Sequence, residues 1–374
     1  MTTAWRVLGC VLGLTVMHPC VPAEVRSGGE AAPSRPELVF LTWEEYVDPA
    51  LVEAFERSRG VGVRLVYFET DDHRDEILVK TNGKGFDLVV VNSPSLPVYR
   101  RFGWLAPLTP AAVPNLRHIP PPWHQAVRDS EGYAAPYFWG STGIAYRRDL
   151  VGGDVVSWME LFDPPERLRG RVALIRNARD VIGMALKALG YSANSTRPEE
   201  ILAAERLLQA QAPRARVIEY PSLGEDSVLV TGEIWMSMMY NGDALVLAEH
   251  EPEIRFVVPR EGGEIWIDYL AVLQSSANKA LAADFIDFLN EPHRAARNAL
   301  FVHYATPNRA AERLLPVDFL RNPVIYPPAE VVERSDFYVD LPPEAVRLRN
   351  RVFSQLPTGA RERPENSADA KPSP

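Results

Sequence analysis

The chain has 374 residues and a mass of 41.8 kDa, a length that suits two domains, each large enough to bury a hydrophobic core. Hydrophobic residues make up 46% and charged residues 24%, which argues against wholesale disorder and against a multi-span membrane protein. The formal net charge is -9 and no basic stripe occurs, so nucleic acid is a poor candidate partner, whereas a cationic ligand fits this balance.

The first 23 residues have the three parts of a secretory signal peptide. Arg6 supplies a positive charge, residues 7–17 form an apolar run too short to cross a bilayer, and Ala23 ends a small-residue cleavage site. We therefore predict that residues 1–23 are a cleavable signal peptide and that the mature chain works in a bacterial periplasm.

Both cysteines, Cys10 and Cys20, lie inside this segment. The mature chain would then have no disulfide and no thiolate that binds a metal or acts as a nucleophile. Lipidation of Cys20 is the less favoured alternative, because Pro19 stands where a lipoprotein needs a small residue.

Residues 24–36 and 357–374 are rich in Gly, Ser, Pro and charge, and we predict a flexible linker and a disordered tail there. Between them, short apolar runs alternate with segments of helical period, which is typical of βαβ units around a mostly parallel sheet. In chain order, strands are predicted at residues 38–41, 63–68, 86–91, 171–175, 233–239, 255–258 and 265–273. Helices are predicted at residues 49–58, 72–81, 178–189, 196–211 (with a capping box at 196–199) and 278–289.

Several catalytic and cofactor signatures are missing from the sequence. No GxGxxG follows the first strand and no P-loop occurs, so nucleotide binding has no support. The seven histidines lack HxxxH or HExxH spacing and no GxSxG elbow occurs, so we predict no metal, no cofactor and no serine nucleophile. Paired carboxylates remain compatible with a secreted carboxylate-dependent enzyme such as a glycosidase.

Aromatic and acidic side chains recur together at the ends of predicted strands, where ligands bind in open α/β sheets. They are Trp43, Glu45 and Tyr46 after the first strand, Asp180 at the start of a helix, Tyr240 and Asp243, Trp266 and Asp268, and Tyr304 further on. Carboxylates accept charge-assisted hydrogen bonds from an ammonium group, and a ring face adds about 0.5 to 2 kcal/mol through cation–π attraction. The pattern favours a ligand with cationic ends and an apolar middle. The alternative is that each ring is a half-buried core residue beside a solvated acid.

At these residues the sequence resembles the periplasmic spermidine/putrescine-binding proteins of polyamine ABC transporters. The matching segments run in that family's order over residues 37–356 and include rare Trp and Gly residues. They lie at residues 40–47, 86–90, 136–143, 178–181, 184–192, 241–243, 259–263, 266–268 and 304–308.

The resemblance implies an α/β fold of the type II periplasmic binding protein class, with two α/β lobes, a hinge and a ligand cleft between the lobes. It places lobe 1 at residues 37–135 plus about 267–305, and lobe 2 at about 136–266 plus 306–356. It also implies a monomer that captures a polyamine and hands it to ABC transporter permease subunits without making or breaking a bond. Because the binding carboxylates must be ionised, affinity should fall as the pH drops toward their usual pKa of about 4.

The family's ligand-contacting positions fall on rings and acids of this chain. The rings are Trp43, Tyr46, Tyr240, Trp266 and Tyr304, and the acids are Glu45, Asp180, Asp243 and Asp268.

Some positions depart from the family's pattern. Asn92, Ser93 and Pro94 stand where many members have Ser followed by Tyr or Ser, so we expect Asn92 and Ser93 at an altered pocket wall. Asn177 stands where spermidine binders carry Asp, and Tyr338 lies near an expected polar contact. Because the acid at Asn177 is missing, we favour a putrescine-like diamine over spermidine, with another cationic solute as the alternative.

Overall fold

The structure is a computed structural model that describes residues 35–127, 131–212, 215–218 and 220–356. The predicted signal peptide with its two cysteines, the predicted tail at 357–374 and all but the last residues of the predicted linker lie outside the described residues.

Within the described residues, ten strands form one sheet. They are β1 (Glu37–Thr42), β2 (Gly62–Tyr67), β3 (Leu88–Asn92), β4 (Ala135–Arg147), β5 (Val172–Ile175), β6 (Ala215–Ile218), β7 (Met236–Tyr240), β8 (Ile254–Val257), β9 (Glu264–Val272) and β10 (Asp336–Phe337). The order of hydrogen-bonded neighbours is β2-β1-β3-β9-β4-β7-β5-β6, with β10 beside β9 and β8 beside β4.

Parallel pairing at both ends of the sheet flanks an antiparallel centre. β1 pairs in parallel with β2 and β3, and β5 pairs in parallel with β6 and β7. At the centre, β9 and β4 run antiparallel to each other and to their outer neighbours β3 and β7. The expectation of a mostly parallel sheet therefore holds at the ends and fails at the centre, because alternation along the chain does not record strand direction.

The described residues also form fifteen α-helices. They are α1 (Pro49–Arg59), α2 (Asp71–Thr81), α3 (Ser95–Arg101), α4 (Pro121–Gln125), α5 (Arg148–Val151), α6 (Trp158–Phe162), α7 (Ala178–Ala188), α8 (Pro198–Gln211), α9 (Asn241–His250), α10 (Lys279–Asn290), α11 (Pro292–Val302), α12 (Arg309–Glu312), α13 (Val317–Leu320), α14 (Ala329–Arg334) and α15 (Pro343–Ser354). Short 3₁₀ turns lie at Pro114–His118 and Glu166–Leu168. None of the helices in this part of the chain has the length and apolar character needed to cross a membrane.

Most predicted elements are confirmed to within about two residues, including β1, β2, β3, β5, β8 and β9 and the helices α1, α2, α7 and α10. β7 begins at Met236, later than predicted, because Ile234 N–H bonds back to the Val228 carbonyl in a turn. β4 has no counterpart among the predicted strands, since glycines at 140 and 143 interrupt its apolar pattern.

The capping box predicted at residues 196–199 is wrong. α8 begins at Pro198, and the side chain of its N-cap residue Arg197 makes no capping hydrogen bond to the described residues. Proline at this position opens the helix by itself, because it lacks an N–H group and its φ angle is already helical. Ser195 Oγ accepts the Arg197 N–H at 3.2 Å and donates to Glu200 Oε2 at 2.5 Å.

Two large hydrophobic cores flank the centre of the sheet. The first packs β1, β3 and β9 against α1 and α10, with Phe40 and Phe55 fully buried, and the second packs β5 and β7 against α6, α7 and α8, with Trp158 fully buried. β4 joins them, because Phe138 belongs to the first core and Ile144 to the second. The middle of β4 and the facing part of β9 therefore lie where the two cores meet.

Candidate functional site

The strand β9 carries an acid, a ring and an acid at alternate positions. Glu264, Trp266 and Asp268 are two residues apart, so their side chains point to the same face of the sheet. Glu264 is 5% exposed and Asp268 8% exposed, while Trp266 is half-buried. Because β9 lies at the centre of the sheet, these side chains lie where elements from both cores converge.

The first pair of acids is Asp268 and Asp243, which lie near Tyr304. Tyr46, in the loop after β1, donates its hydroxyl hydrogen to Asp268 Oδ2 at 2.9 Å. Tyr304 donates to Asp243 Oδ1 at 3.1 Å, and Tyr220 donates to Asp243 Oδ2 at 2.6 Å. The Tyr46 and Tyr304 ring centroids are 6.1 Å apart, so Asp268 and Asp243 share one aromatic wall.

The second pair of acids is Asp180 and Glu264, which lie near Tyr240. Tyr240 at the end of β7 donates its hydroxyl hydrogen to Asp180 Oδ2 at 2.8 Å, and Thr142 on β4 donates to Glu264 Oε2 at 2.8 Å. Thr142 is the strand partner of both Glu264 and Tyr240. The Asp180 and Glu264 carboxyl groups interact directly with each other.

A continuous row of rings connects the two pairs of acids. In order along the row the rings are Tyr46, Tyr304, Trp266, Tyr240 and Tyr220, with successive centroids 6.1, 4.8, 6.3 and 5.3 Å apart. Trp266 is the central ring, with Tyr304 on one side and Tyr240 on the other. Because Tyr304 and Tyr220 both donate to Asp243, the row curves around this acid and offers apolar faces among all four carboxyl groups.

Two glycines make room for these rings. A Cβ atom on Gly140 would lie 2.4 Å from Cζ2 of Trp266, and one on Gly242 would lie 2.5 Å from Cε1 of Tyr304. Such distances are too short for any real side chain, so the rings occupy space that only glycine leaves free. Gly140 on β4 and Gly242 on α9 therefore position Trp266 and Tyr304.

Burial of the four acids has the largest effect on their pKa values. Desolvation raises the pKa of Asp268 to about 7 and that of Asp180 to about 6, and it raises the pKa of Asp243 as well. Desolvation and the nearby Asp180 raise the pKa of Glu264 well above its usual range. Among the described residues, no Lys or Arg forms an ion pair with any of these four acids. The charges of Arg74 and Arg179 lower the pKa of Asp268 and of the Asp180 and Glu264 pair from a distance, but burial outweighs them.

The acids are not arranged to bind a metal. Within the described ranges no group of three or more His, Cys, Asp or Glu side chains is placed to hold a metal ion.

The structure brings most of the predicted site residues into one cluster. They are Tyr46, Asp180, Tyr240, Asp243, Trp266, Asp268 and Tyr304. Trp43 lies at the edge of this cluster, 4.3 Å from Phe68 between ring centroids, and its side chain lowers the pKa of Asp268.

Four predicted site residues have other positions or partners. Glu45 is exposed in the loop after β1, with a backbone φ of 53°. Asn92 Oδ1 accepts the N–H of Ser95 at the start of α3, and Ser93 Oγ donates to the Ile267 carbonyl. The Asn177 side-chain oxygen caps α7 by accepting the N–H groups of Arg179 and Asp180.

Sequence reasoning missed Tyr220, Thr142 and Glu264. Tyr220 stacks on Tyr240 and bonds Asp243, but it lies in an irregular segment without a periodic signal. Glu264 had a signal, because it continues the two-residue alternation of Trp266 and Asp268 toward the start of the strand.

Comparison with known proteins identifies relatives of this chain. The family described as bacterial extracellular solute-binding protein matches residues 50–323. A norspermidine sensor from Vibrio cholerae is 32% identical over 322 residues, which cover 86% of this chain and 88% of that protein. A spermidine/putrescine-binding periplasmic protein from Escherichia coli K12 is 32% identical over 306 residues, which cover 81% and 87%.

A solved structure shows the same fold. The spermidine/putrescine ABC transporter substrate-binding protein from Streptococcus pneumoniae superimposes with a TM-score of 0.76 at 25% identity, over 86% of this chain and 98% of that chain. These likenesses confirm the family resemblance of the sequence motifs and the type II binding-protein fold with two α/β lobes. Because this family consists of solute-binding proteins, the chain is a binding protein and not an enzyme. The chain belongs to the bacterial extracellular solute-binding protein family.

Proposed function

We propose that the chain captures a polyamine at the row of rings and acids and delivers it to the permease subunits of an ABC transporter. One observation carries the proposal: four acids, three of them buried and Asp243 half-buried, surround aromatic faces without a cationic partner among the described residues. The names of the relatives, which include spermidine, putrescine and norspermidine binders, support the same ligand class.

The tyrosine hydroxyls explain how a cation would bind. In the present structure Tyr46, Tyr240 and Tyr304 each donate a neutral hydrogen bond to a carboxyl group. An ammonium group adds a full positive charge and three donors, so its hydrogen bonds to the carboxylates are about twice as strong as neutral ones. The methylene groups of the ligand pack against the ring faces, which also attract the flanking charges.

Binding is coupled to lobe closure in this proposal. The acids and rings come from β9, from α7 and α9, and from the loops around Tyr46 and Tyr304, so a ligand touches elements of both cores at once. A closed state that makes all these contacts binds the ligand more tightly than an open one, and this difference shifts the population toward closure. The lobe boundaries at residues 136, 267 and 306 are part of the proposal.

Ligand length is the finer part of the proposal. The preference for a putrescine-like diamine rests on the missing acid at Asn177. Glu264 is a further buried acid at the same site, so the acid missing at Asn177 does not by itself exclude a third ammonium group. Each binding test should therefore compare a triamine such as spermidine with the diamine.

Export completes the proposal. The charge, apolar run and cleavage pattern of residues 1–23 support secretion to the periplasm through a cleavable signal peptide. We propose that the mature chain acts there as a monomer. Mass spectrometry of the periplasmic protein checks cleavage after Ala23, and size-exclusion chromatography with light scattering checks the monomer.

Isothermal titration calorimetry with putrescine and spermidine tests the binding function. The protein is first unfolded and refolded to remove any ligand carried over from the cell. We expect 1:1 binding by the wild type, strong loss in Asp243→Asn, and wild-type affinity in Asp318→Asn, which changes an exposed acid outside the cluster of rings and acids. A wild type that binds neither amine contradicts the proposal.

A sensor role is the second candidate, because one of the relatives is named a norspermidine sensor. Uptake of labelled polyamine by cells that lack the gene separates the two roles. Transport predicts that uptake falls, whereas a pure sensor predicts unchanged uptake with loss of the cell's response to polyamine.

A further inference from the structure

We propose that Glu264 completes a second ammonium subsite with Asp180, the acid that the family resemblance already implies, and that the charge of Glu264 makes the protein prefer a triamine over a diamine. The inference rests on the proposed polyamine-binding function and extends it to ligand length. The inference depends on Glu264, a buried acid that is not among the residues indicated by the sequence motifs.

The geometry of Glu264 is that of a binding residue. It arrives from β9 and meets Asp180, which arrives from the first turn of α7. Asp180 is 3% exposed and Glu264 5% exposed, and the hydroxyls of Tyr240 and Thr142 each bond one of these carboxyl groups. Two carboxyl groups side by side on an aromatic ring provide several acceptors for one primary ammonium.

The described charged neighbours form no ion pair with these two acids, although the charge of Arg179 lowers the pKa of both. Arg179 precedes Asp180, but its guanidinium stacks 4.2 Å from the centroid of the Tyr338 ring and donates to the Val339 carbonyl and to the Asn194 side chain. The other titratable groups that act on the pair are Tyr240, Tyr338 and Asp71, none of which brings positive charge.

Repulsion between the two acids determines their protonation in the ligand-free protein. Two neighbouring carboxylates in a desolvated site disfavour each other's ionisation, so the pair takes up a proton in the ligand-free protein. The raised pKa of Glu264, caused by burial and by Asp180, agrees with this. An ammonium that binds here displaces that proton, so binding at this subsite releases a proton to the buffer.

Distance separates diamines from triamines. Glu264 and Asp268 are four residues apart on a strand, which corresponds to about 13 Å between their Cα atoms. An extended chain gains about 1.2 Å per bond, so the end nitrogens of putrescine are about 6 Å apart and those of spermidine about 11 Å apart. A triamine is therefore nearly long enough to reach from Asp268 to Glu264, whereas a diamine spans only about half of that distance.

The test compares Glu264→Gln with the wild type by calorimetry, using putrescine and spermidine. Gln keeps the volume and can still accept from Thr142, so it isolates the lost charge. We expect the ratio of spermidine affinity to putrescine affinity to fall at least tenfold. We also expect that spermidine binding near neutral pH, measured in two buffers of different ionisation enthalpy, releases fewer protons from the variant.

The outcomes are separable from failure of the proposed function. If the wild type binds neither amine, the polyamine proposal itself fails. If the wild type binds and Glu264→Gln weakens both amines equally or neither, the second subsite is refuted. Should Glu264→Gln not fold, Glu264→Asp keeps the charge but withdraws it by one methylene, and an unchanged affinity ratio there refutes the subsite as well.

Discussion

Tyr46 and Asp268 are 222 residues apart in sequence and joined by a hydrogen bond of 2.9 Å. The tyrosine lies in the loop after β1, and the aspartate lies in the middle of β9. Burial and the neighbouring Asp268 raise the pKa of Tyr46 well above its usual value, so the hydroxyl stays a neutral donor. A buried acid held only by neutral donors is stabilised further by any cation that reaches it.

Replacing Asp268 by Asn tests this acid directly. Asn keeps the size and an oxygen that can accept from Tyr46, but it removes the charge. We expect polyamine binding to weaken by about 2 to 5 kcal/mol, the usual cost of removing one partner of a buried charged pair. Calorimetry checks the loss against Asp318→Asn, and equal affinities of the two variants would exclude Asp268 from the site.

The same substitution is expected to stabilise the ligand-free protein at alkaline pH. The folded pKa of Asp268 is raised to about 7, so its contribution to stability is fully present below the unfolded pKa of about 4 and is lost as the pH rises through 7. At pH 8 the penalty is on the order of 4 kcal/mol. Urea unfolding of the refolded, ligand-free protein should show Asp268→Asn more stable than the wild type at pH 8. The difference should shrink by pH 5, and a difference independent of pH would contradict this account.

Polyamine affinity should depend on pH in the range near neutrality. Ammonium groups need ionised carboxylates, and burial raises the pKa of Asp180 to about 6 and of Asp268 to about 7. Affinity should therefore rise between pH 5.5 and 8, by about tenfold per pH unit for each proton released. The midpoint lies well above the value of about 4 that ordinary carboxylates would give. Calorimetric titrations across this range check the slope, and an affinity that is flat down to pH 5 would show that the acids are ionised before the ligand arrives.

Gly140→Ala and Gly242→Ala should damage the site through its rings. A new methyl group would overlap Trp266 in the first variant and Tyr304 in the second, so each ring must shift. We expect overpacking to cost about 1 to 3 kcal/mol of stability and polyamine affinity to fall roughly tenfold. Gly153→Ala is the matched control, since no described atom outside its immediate chain neighbours lies within 4 Å of the Cβ that would be added. Thermal unfolding and calorimetry measure both effects, and a Gly140→Ala protein with wild-type affinity would show that Trp266 does not contact the ligand.

The sequence predicts most residues of the site but not the strands and side chains that they pair with. Asp180 after β5 and Tyr240 at the end of β7 were visible because ligands bind beyond the strand ends of α/β sheets, whereas Trp266 and Asp268 lie within β9. Pairing across long sequence distances was not visible, so the antiparallel centre formed by β4 and β9 was missed. Glu264 was missed because an acid at a strand start is usually solvated, and only the alternation with Trp266 and Asp268 marks it as inward-facing.

Thermal unfolding of the refolded, ligand-free protein in the presence of putrescine, cadaverine, spermidine, spermine, arginine and glucose tests the central claim most directly. A ligand at a hundredfold excess over its dissociation constant stabilises the folded state by about 2.7 kcal/mol, which gives a clear rise in the unfolding temperature. We predict such a rise with one or more of the four polyamines and none with glucose. No rise with any polyamine, or an equal rise with glucose, would contradict the account of a site built from unpaired acids and aromatic rings.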